Sequence, residues 1–227
     1  DKAIVALAID SVSELNLNFI IEKLKGNGKG SKDGWEVQFH NIRLQDSRFS
    51  LKNSNSSPVD YGMNFSDIGV NHLDAELRRF SPSKDSLSFH LKSMRLMEKS
   101  GLIIKDMSCD FSQHRTFLSF RNISLKTNNS FIHGRDVSLR FRDFDDFKGA
   151  AFAEFVRFRL DLENTELDFS DVGYFAPVFK DAHQKFLISG LLTGPIGNIN
   201  AKKLDVRFGS GSSVWGDFKF EGLPDIS

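Results

Sequence analysis

Val156-Arg157-Phe158-Arg159-Leu160-Asp161-Leu162 alternates apolar and charged residues without a break, and that alternation decides the fold class. Successive side chains of a β-strand point to opposite faces, so this stretch reads as a strand greasy on one side and charged on the other. The same period of two recurs on both sides of it. Upstream, Leu87, Phe89 and Leu91 alternate with Ser88, His90 and Lys92, and Val137, Leu139 and Phe141 alternate with Ser138, Arg140 and Arg142. Downstream, Leu204, Val206 and Phe208 alternate with Asp205 and Arg207. Strands wet on one face only belong to antiparallel sheets rather than to buried parallel ones. The expectation is a mainly β protein, a long antiparallel meander.

Four short stretches add a loose repeat: Phe39-His-Asn-Ile-Arg-Leu44, Phe65-Ser-Asp-Ile-Gly-Val70, Ile104-Lys-Asp-Met-Ser-Cys109 and Phe120-Arg-Asn-Ile-Ser-Leu125. An apolar spacing of three followed by two flips the parity of a strand. A bulge or tight corner at Asn41, Asp67, Asp106 and Asn122 would keep the apolar groups on one face.

Two stretches break the strand pattern. Leu17, Ile20, Ile21 and Leu24 fall on one helical face, with Ser11 or Ser13 as cap, and Gly26 to Gly34 follows as a polar loop. Residues 1–34 are therefore expected to form a short N-terminal helix and a Gly-rich loop. In 171–186, Pro177 limits any helix, and a short helical turn around Val178 to His183 is expected, placed to plug an end or lie across the greasy face. Residues 35–170 and 187–227 carry the strands.

The 227 residues suffice to bury a real core. Basic and acidic residues balance, 30 against 30, which argues against nucleic-acid binding through a basic field. Phe is abundant, 23 against 2 Trp and 2 Tyr, and Phe has no polar handle to satisfy. That composition suits a dry face and offers few platforms for sugars. Cys109, the single cysteine, lies in an alternating run and reads as a buried thiol. No stretch approaches the ~20 apolar residues of a membrane-spanning helix. The chain opens at Asp1 without an initiator Met and is expected to be a segment of a longer protein.

A search for chemistry returns no site. None of His40, His72, His90, His114, His133 and His183 pairs at metal-ligand spacing. Asp143, Asp145 and Asp146 are interrupted by Phe144 and Phe147 and lack the distal Glu of a calcium loop. No nucleophile elbow, phosphate loop or dinucleotide fingerprint occurs. Catalytic residues, metal and cofactors are all expected to be none. The greasy face then has two outcomes: two sheets closing on each other, or one sheet curling into an open trough. Periodicity does not choose between them.

The region from Leu187 onward carries Ser189-Gly-Leu-Leu-Thr-Gly194, a strand, a glycine-containing turn, a strand opening on Gly216, and Gly222-Leu-Pro-Asp225. With Asp171-Val-Gly-Tyr-Phe-Ala-Pro177 and Asn41-Ile-Arg-Leu-Gln-Asp-Ser-Arg-Phe-Ser-Leu51, this resembles the TamB family of translocation and assembly module proteins, of Bacteroidetes type, within the AsmA-like group. The resemblance implies an open amphipathic β-groove in the periplasmic part of an inner-membrane-anchored protein of a Gram-negative bacterium. It implies lipid transport between the membranes and support of outer-membrane protein assembly. The implied partners are phospholipid acyl chains, adjacent groove segments of the same full-length chain, and an outer-membrane barrel protein met through regions outside this chain. The expected groove lining is Leu87, Phe89, Leu91, Val137, Leu139, Phe141, Val156, Phe158, Leu160, Leu204, Val206 and Phe208. A closed-core spacer or an adhesive β-sandwich is the alternative.

Overall fold

The structure, a computed structural model, describes residues 3–9, 39–53, 58–83, 86–143, 146 and 150–222. It is one 11-stranded sheet in which spatial order equals chain order. The strands are β1 (Ile4–Ile9), β2 (Phe39–Asn53), β3 (Asp67–Pro82), β4 (Ser86–Glu98), β5 (Ile103–His114), β6 (Phe117–Lys126), β7 (Phe131–Arg140), β8 (Arg157–Asp168), β9 (Lys185–Gly194), β10 (Asn198–Phe208) and β11 (Ser212–Glu221). From β2 to β11 every pairing is antiparallel; β1 alone runs parallel to its neighbour. The sheet does not close into a barrel. It curls into an open groove with an apolar concave face and a charged convex face.

β1 departs from the sequence expectation. Ile4-Val-Ala-Leu-Ala-Ile9 is an uninterrupted apolar run, which carries no alternation to read. The helix expected from Ser11 or Ser13 to Leu24 and the Gly26 to Gly34 loop lie outside the described residues.

The curl has a local cause. Six non-glycine residues adopt left-handed backbone: Asp46 (φ 42°), His72 (50°), Arg79 (53°), Asn122 (51°), Asn164 (46°) and Lys203 (49°). Each is the third residue of a quartet whose first and last members face the concave side, as in Leu44-Gln-Asp-Ser47, Phe120-Arg-Asn-Ile123 and Ala201-Lys-Lys-Leu204. At each, two residues oppose one across the ladder, so the strand bends and its facing pattern is preserved. Left-handed backbone costs a non-glycine residue about 1–2 kcal/mol. Polar groups on the facing strand offset part of it. The Asp46 amide donates to Asp74 Oδ1 (3.0 Å), the Asn164 amide to Ser189 Oγ (2.9 Å) and the Lys203 amide to Asp217 Oδ1 (2.7 Å). Of the four positions, Asp106 and Asn122 carry bulges, and Asp67 closes a tight turn in which its amide donates to Asn64 O (2.9 Å). Asn41 sits in regular ladder, so the repeat misleads there.

Gly190 stands opposite the Lys203 bulge with φ +139°, and a Cβ there would lie 2.8 Å from Leu204 Cα and 3.0 Å from Lys203 O. Both the dihedral and the close approach demand glycine. Gly190→Ala is expected to cost about 2 kcal/mol or more, read as a lowered midpoint in urea unfolding.

A bracket of two short elements joins β8 to β9 along one rim: α2 (Phe169–Val172) and a 3-10 turn (Pro177–Phe179). The expected helical turn is thus present, starting at Pro177, where proline suits a first turn. The other short helix, α1 (Ala150–Phe155), precedes β8 at the opposite rim. The bracket runs back over the turns of earlier hairpins. Asp171, buried, accepts from Thr127 Oγ1 (2.5 Å) and the Asn129 amide (3.0 Å) in the β6–β7 turn. Tyr174 donates to Gly101 O (3.1 Å) in the β4–β5 turn. Its own carbonyl accepts from the Met63 amide (2.7 Å) in the β2–β3 connection, where its ring stacks on Tyr61 at 6.1 Å. Gly62 permits this approach, since a Cβ would sit 2.5 Å from Tyr174 O.

The candidate groove and its lining

The concave face is built from rows of apolar side chains that cross the strands. One row runs Phe80, Phe89, Phe111, Phe120, Val137, Leu160, Leu192, Ala201, Phe218 through successive register partners. Its rings touch in sequence: Phe80–Phe89 at 6.0 Å, Phe89–Phe111 at 4.7 Å and Phe111–Phe120 at 5.1 Å. A second row carries Met94, Met107, Leu125 and Ile132. Between the two rows, Leu91, Cys109 and Ile123 are buried and form a core cluster against which both rows pack.

At the centre lies an apolar trough of about 390 Å³ lined by Met107, Phe120, Ile123, Leu125, Ile132, Val137, Leu160, Leu162, Thr165, Leu167 and Ile188. Thr165 supplies the only hydroxyl of this lining. Its Oγ1 donates to His133 O (2.9 Å) and accepts from the His133 amide (3.1 Å), so the hydroxyl is fully engaged by backbone. The trough can thus take apolar matter and gives it no hydrogen-bonding partner.

The convex face is the electrostatic opposite. Cross-strand ion pairs cover it: Arg95–Asp74 at 2.8 Å, Arg135–Asp161 at 2.9 Å, Arg159–Asp136 at 2.9 Å and Lys92–Glu76 at 3.0 Å. The Arg95 guanidinium beside Asp74 holds that carboxyl below its usual range, helped by the Asp46 amide. Glu98 is buried at the rim. Burial pushes its carboxyl up, but the Gly69 and Ser100 amides that donate to it outweigh that and bring it below normal.

The expected lining residues divide into two sets. Phe89, Leu91, Val137 and Leu160 meet at the core and trough. Leu87, Leu139 and Phe158 continue the same face toward one rim, with Leu139 opposite Phe158. Leu204, Val206 and Phe208 continue it past β9, Val206 between Ile188 and Val214, and Phe208 with its ring 5.6 Å from Phe186. Phe141 and Val156 differ. They follow β7 and precede β8, outside the strands themselves, and both are buried, 5% and 1% exposed. Their parity was right, but the strands end one residue short of each.

Met107, Ile123, Leu125, Ile132, Leu162, Leu167 and Ile188 line the trough yet were not singled out from sequence as lining. A bulge hides one of them: Leu167 shares a face with Leu162 only because of the irregularity between Leu162 and Thr165. Two apolar residues separated by two polar ones inside a strand are the signal that finds such bulges.

Among the described residues, no three or more His, Cys, Asp or Glu come together as a metal site. Asp146 is taken up by Arg142, whose Nη2 donates at 2.6 Å and whose amide donates at 2.7 Å, while the guanidinium lies 3.4 Å over the Phe155 ring. Cys109 is buried, and burial pushes its thiol up to about 11. A thiol of that kind is inert. The folded protein is expected to leave an aromatic disulfide reagent unreacted at pH 8, and to react in full once unfolded in guanidinium.

Scans of family models, curated proteins and solved structures return no match to the chain.

Proposed function

We propose that this chain is a non-enzymatic wall of a lipid-conducting groove, part of a TamB-like bridge protein in the envelope of a Gram-negative bacterium. The observation that carries this reading is the apolar row that crosses the sheet without a polar break. Each methylene of an acyl chain laid on such a surface gains about 0.8 kcal/mol. Headgroups would stay at the rims, where charged side chains and turns begin. In the same reading the protein is anchored in the inner membrane by a part outside this chain, moves lipid toward the outer membrane and supports outer-membrane protein assembly.

The competing closed-core spacer and the adhesive sandwich need a second layer on the apolar face. The described residues form one sheet and supply no such layer. Two measurements test the proposal. Native mass spectrometry of the purified chain is expected to show bound phospholipid. Photo-crosslinking residues at Leu139 or Phe158 are expected to capture lipid in cells, and consistent failure at both would sink the reading.

A further inference from the structure

Between β8 and β11 the convex face changes character. The register sets Glu166, Leu187, Arg207 and Ser213 in one row across it, and Ser189, Asp205 and Trp215 in the next. A face covered elsewhere by ion pairs thus carries an apolar floor at Leu187 and an indole at Trp215. That ring is 80% exposed, so burial does not account for it. Among the described residues, nothing packs on its faces as a ring or cation, and its Nε1–H has no acceptor.

These residues enclose a cleft of about 840 Å³ that ends at His183 and Gly211. Small-molecule sites span roughly 300–1,000 Å³. Asp205 grips Arg207 through two bonds, Nη2 to Oδ2 at 2.8 Å and Nε to Oδ1 at 3.3 Å. The fork holds the guanidinium one diagonal step from Trp215 and leaves Nη1 free to donate. Two carboxylates, Glu166 and Asp205, balance two cations, Lys185 and Arg207, so the cleft has no net attraction for an anion.

We propose that this cleft binds a neutral glycan, with one sugar ring stacked on Trp215 and its hydroxyls at the Asp205–Arg207 pair. A pyranose has a weakly positive face of C–H bonds and an equator of hydroxyls. The C–H face meets the negative face of the indole. Each hydroxyl both donates and accepts, which suits a carboxylate and a guanidinium set side by side. A phosphate would meet the carboxylates, and an acyl chain would bury the charges. The turn end of the cleft is open: a Cβ at Gly209 or Gly211 would meet nothing within 4 Å, so a chain of several sugars can run out past it. The site does not depend on the outer edge of β11. Gly222 follows that strand at the opposite rim, its amide on Gly197 O, and a strand paired beyond β11 would flank the indole and leave its face open. The cleft lies on the other side of the sheet from the trough, so it stands or falls independently of lipid binding.

Calorimetric titration of the protein with chitotetraose and with maltotetraose tests this. Saturable binding of at least one is expected, at millimolar affinity, and the pair separates an N-acetylated glycan from a plain glucan. Trp215→Ala is expected to weaken binding at least tenfold with an unchanged melting midpoint, since the ring is exposed. Asp205→Asn, which loosens Arg207 and keeps the platform, is expected to weaken it at least threefold. Trp35→Phe leaves Trp215 as the single tryptophan. Its emission is expected to shift to the blue with the bound sugar and to stay unmoved by inorganic phosphate or phosphatidylcholine vesicles. Binding of neither sugar, binding indifferent to Trp215→Ala or to Asp205→Asn, or an emission shift with phosphate or vesicles would each overturn the proposal.

Discussion

Asp171→Ala is expected to lower the melting midpoint by roughly 6–12 °C at neutral pH, the largest stability effect of any single polar substitution at the rim. The carboxylate is buried and accepts from the Thr127 hydroxyl, the Asn129 amide and Asn129 Nδ2 (3.3 Å). Removing it takes the acceptor from the Asn129 amide and leaves the buried Thr127 hydroxyl only its longer bond to Ser130 O (3.3 Å). Hydrogen bonds to a charged group contribute about 1.5–3 kcal/mol each, and the stranded donors bring the loss to about 3 kcal/mol. For a chain of this size each kcal/mol moves the midpoint by about 2–4 °C. The pH dependence has a definite sign. Burial pushes the Asp171 carboxyl up, but the Thr127 hydroxyl, the Asn129 amide and the Ser130 hydroxyl outweigh it, so its pKa in the folded protein is below the ordinary value. The stability it contributes is therefore fully present above the unfolded-state pKa of about 3.9 and is lost as pH falls through the lower, folded value. Melting curves of wild type and Asp171→Ala should converge in acid. Asp171→Asn, which keeps the shape and an acceptor, should fall between them. Equal midpoints of wild type and Asp171→Ala at pH 7 would remove the bracket's anchoring role.

Leu160→Glu is the functional counterpart. Leu160 lines the trough and pairs with Val137 and Leu192 on the continuous apolar row. It is half-buried, so a glutamate there can reach water in the empty protein, and the fold is expected to lose only about 1–2 kcal/mol. An acyl chain lying over the same site would seal an unpaired carboxylate into hydrocarbon. That costs several kcal/mol, and 2.7 kcal/mol is already a hundredfold. Phospholipid recovered with the variant should therefore fall at least tenfold, while far-UV circular dichroism stays that of the wild type. Undiminished lipid in a folded Leu160→Glu protein would detach the trough from lipid binding. Lipid lost together with the fold would count against the estimate of its cost, and Leu160→Gln, which adds no charge, then decides the matter.

The alternation at Val137 to Arg140 and Arg157 to Leu162 located two strands and their greasy face correctly, because period two survives wherever a strand is regular. The same reading placed Phe141 and Val156 on that face when they lie past the strand ends. Periodicity has no term for where pairing stops. Leu167 escaped because the bulge at Asn164 changes parity after Leu162, and residues as different as Asp46, Arg79 and Lys203 occupy the left-handed position. No single residue type marks it. β1 escaped for the opposite reason, since an all-apolar run looks alike in a strand and in a buried helix. Asp171 could not have been chosen among the acidic residues of the chain. Its role exists only once the β6–β7 turn is brought to it across more than forty residues of sequence.

Because each strand pairs only with its neighbours in the chain, the sheet is close to a one-dimensional object. Pulled from its two ends, such a meander would peel one hairpin at a time at low force. The bracket changes that behaviour. By tying the region after β8 to the turns of β6–β7, β4–β5 and β2–β3, it makes the intervening hairpins yield together or not at all. The β9–β10 turn is held more lightly, by one bond from the Gly197 amide to Ala153 O (3.4 Å) of α1. The molecule is thus a stiff, cooperative block from β2 to β8 with more compliant strands on either side of it.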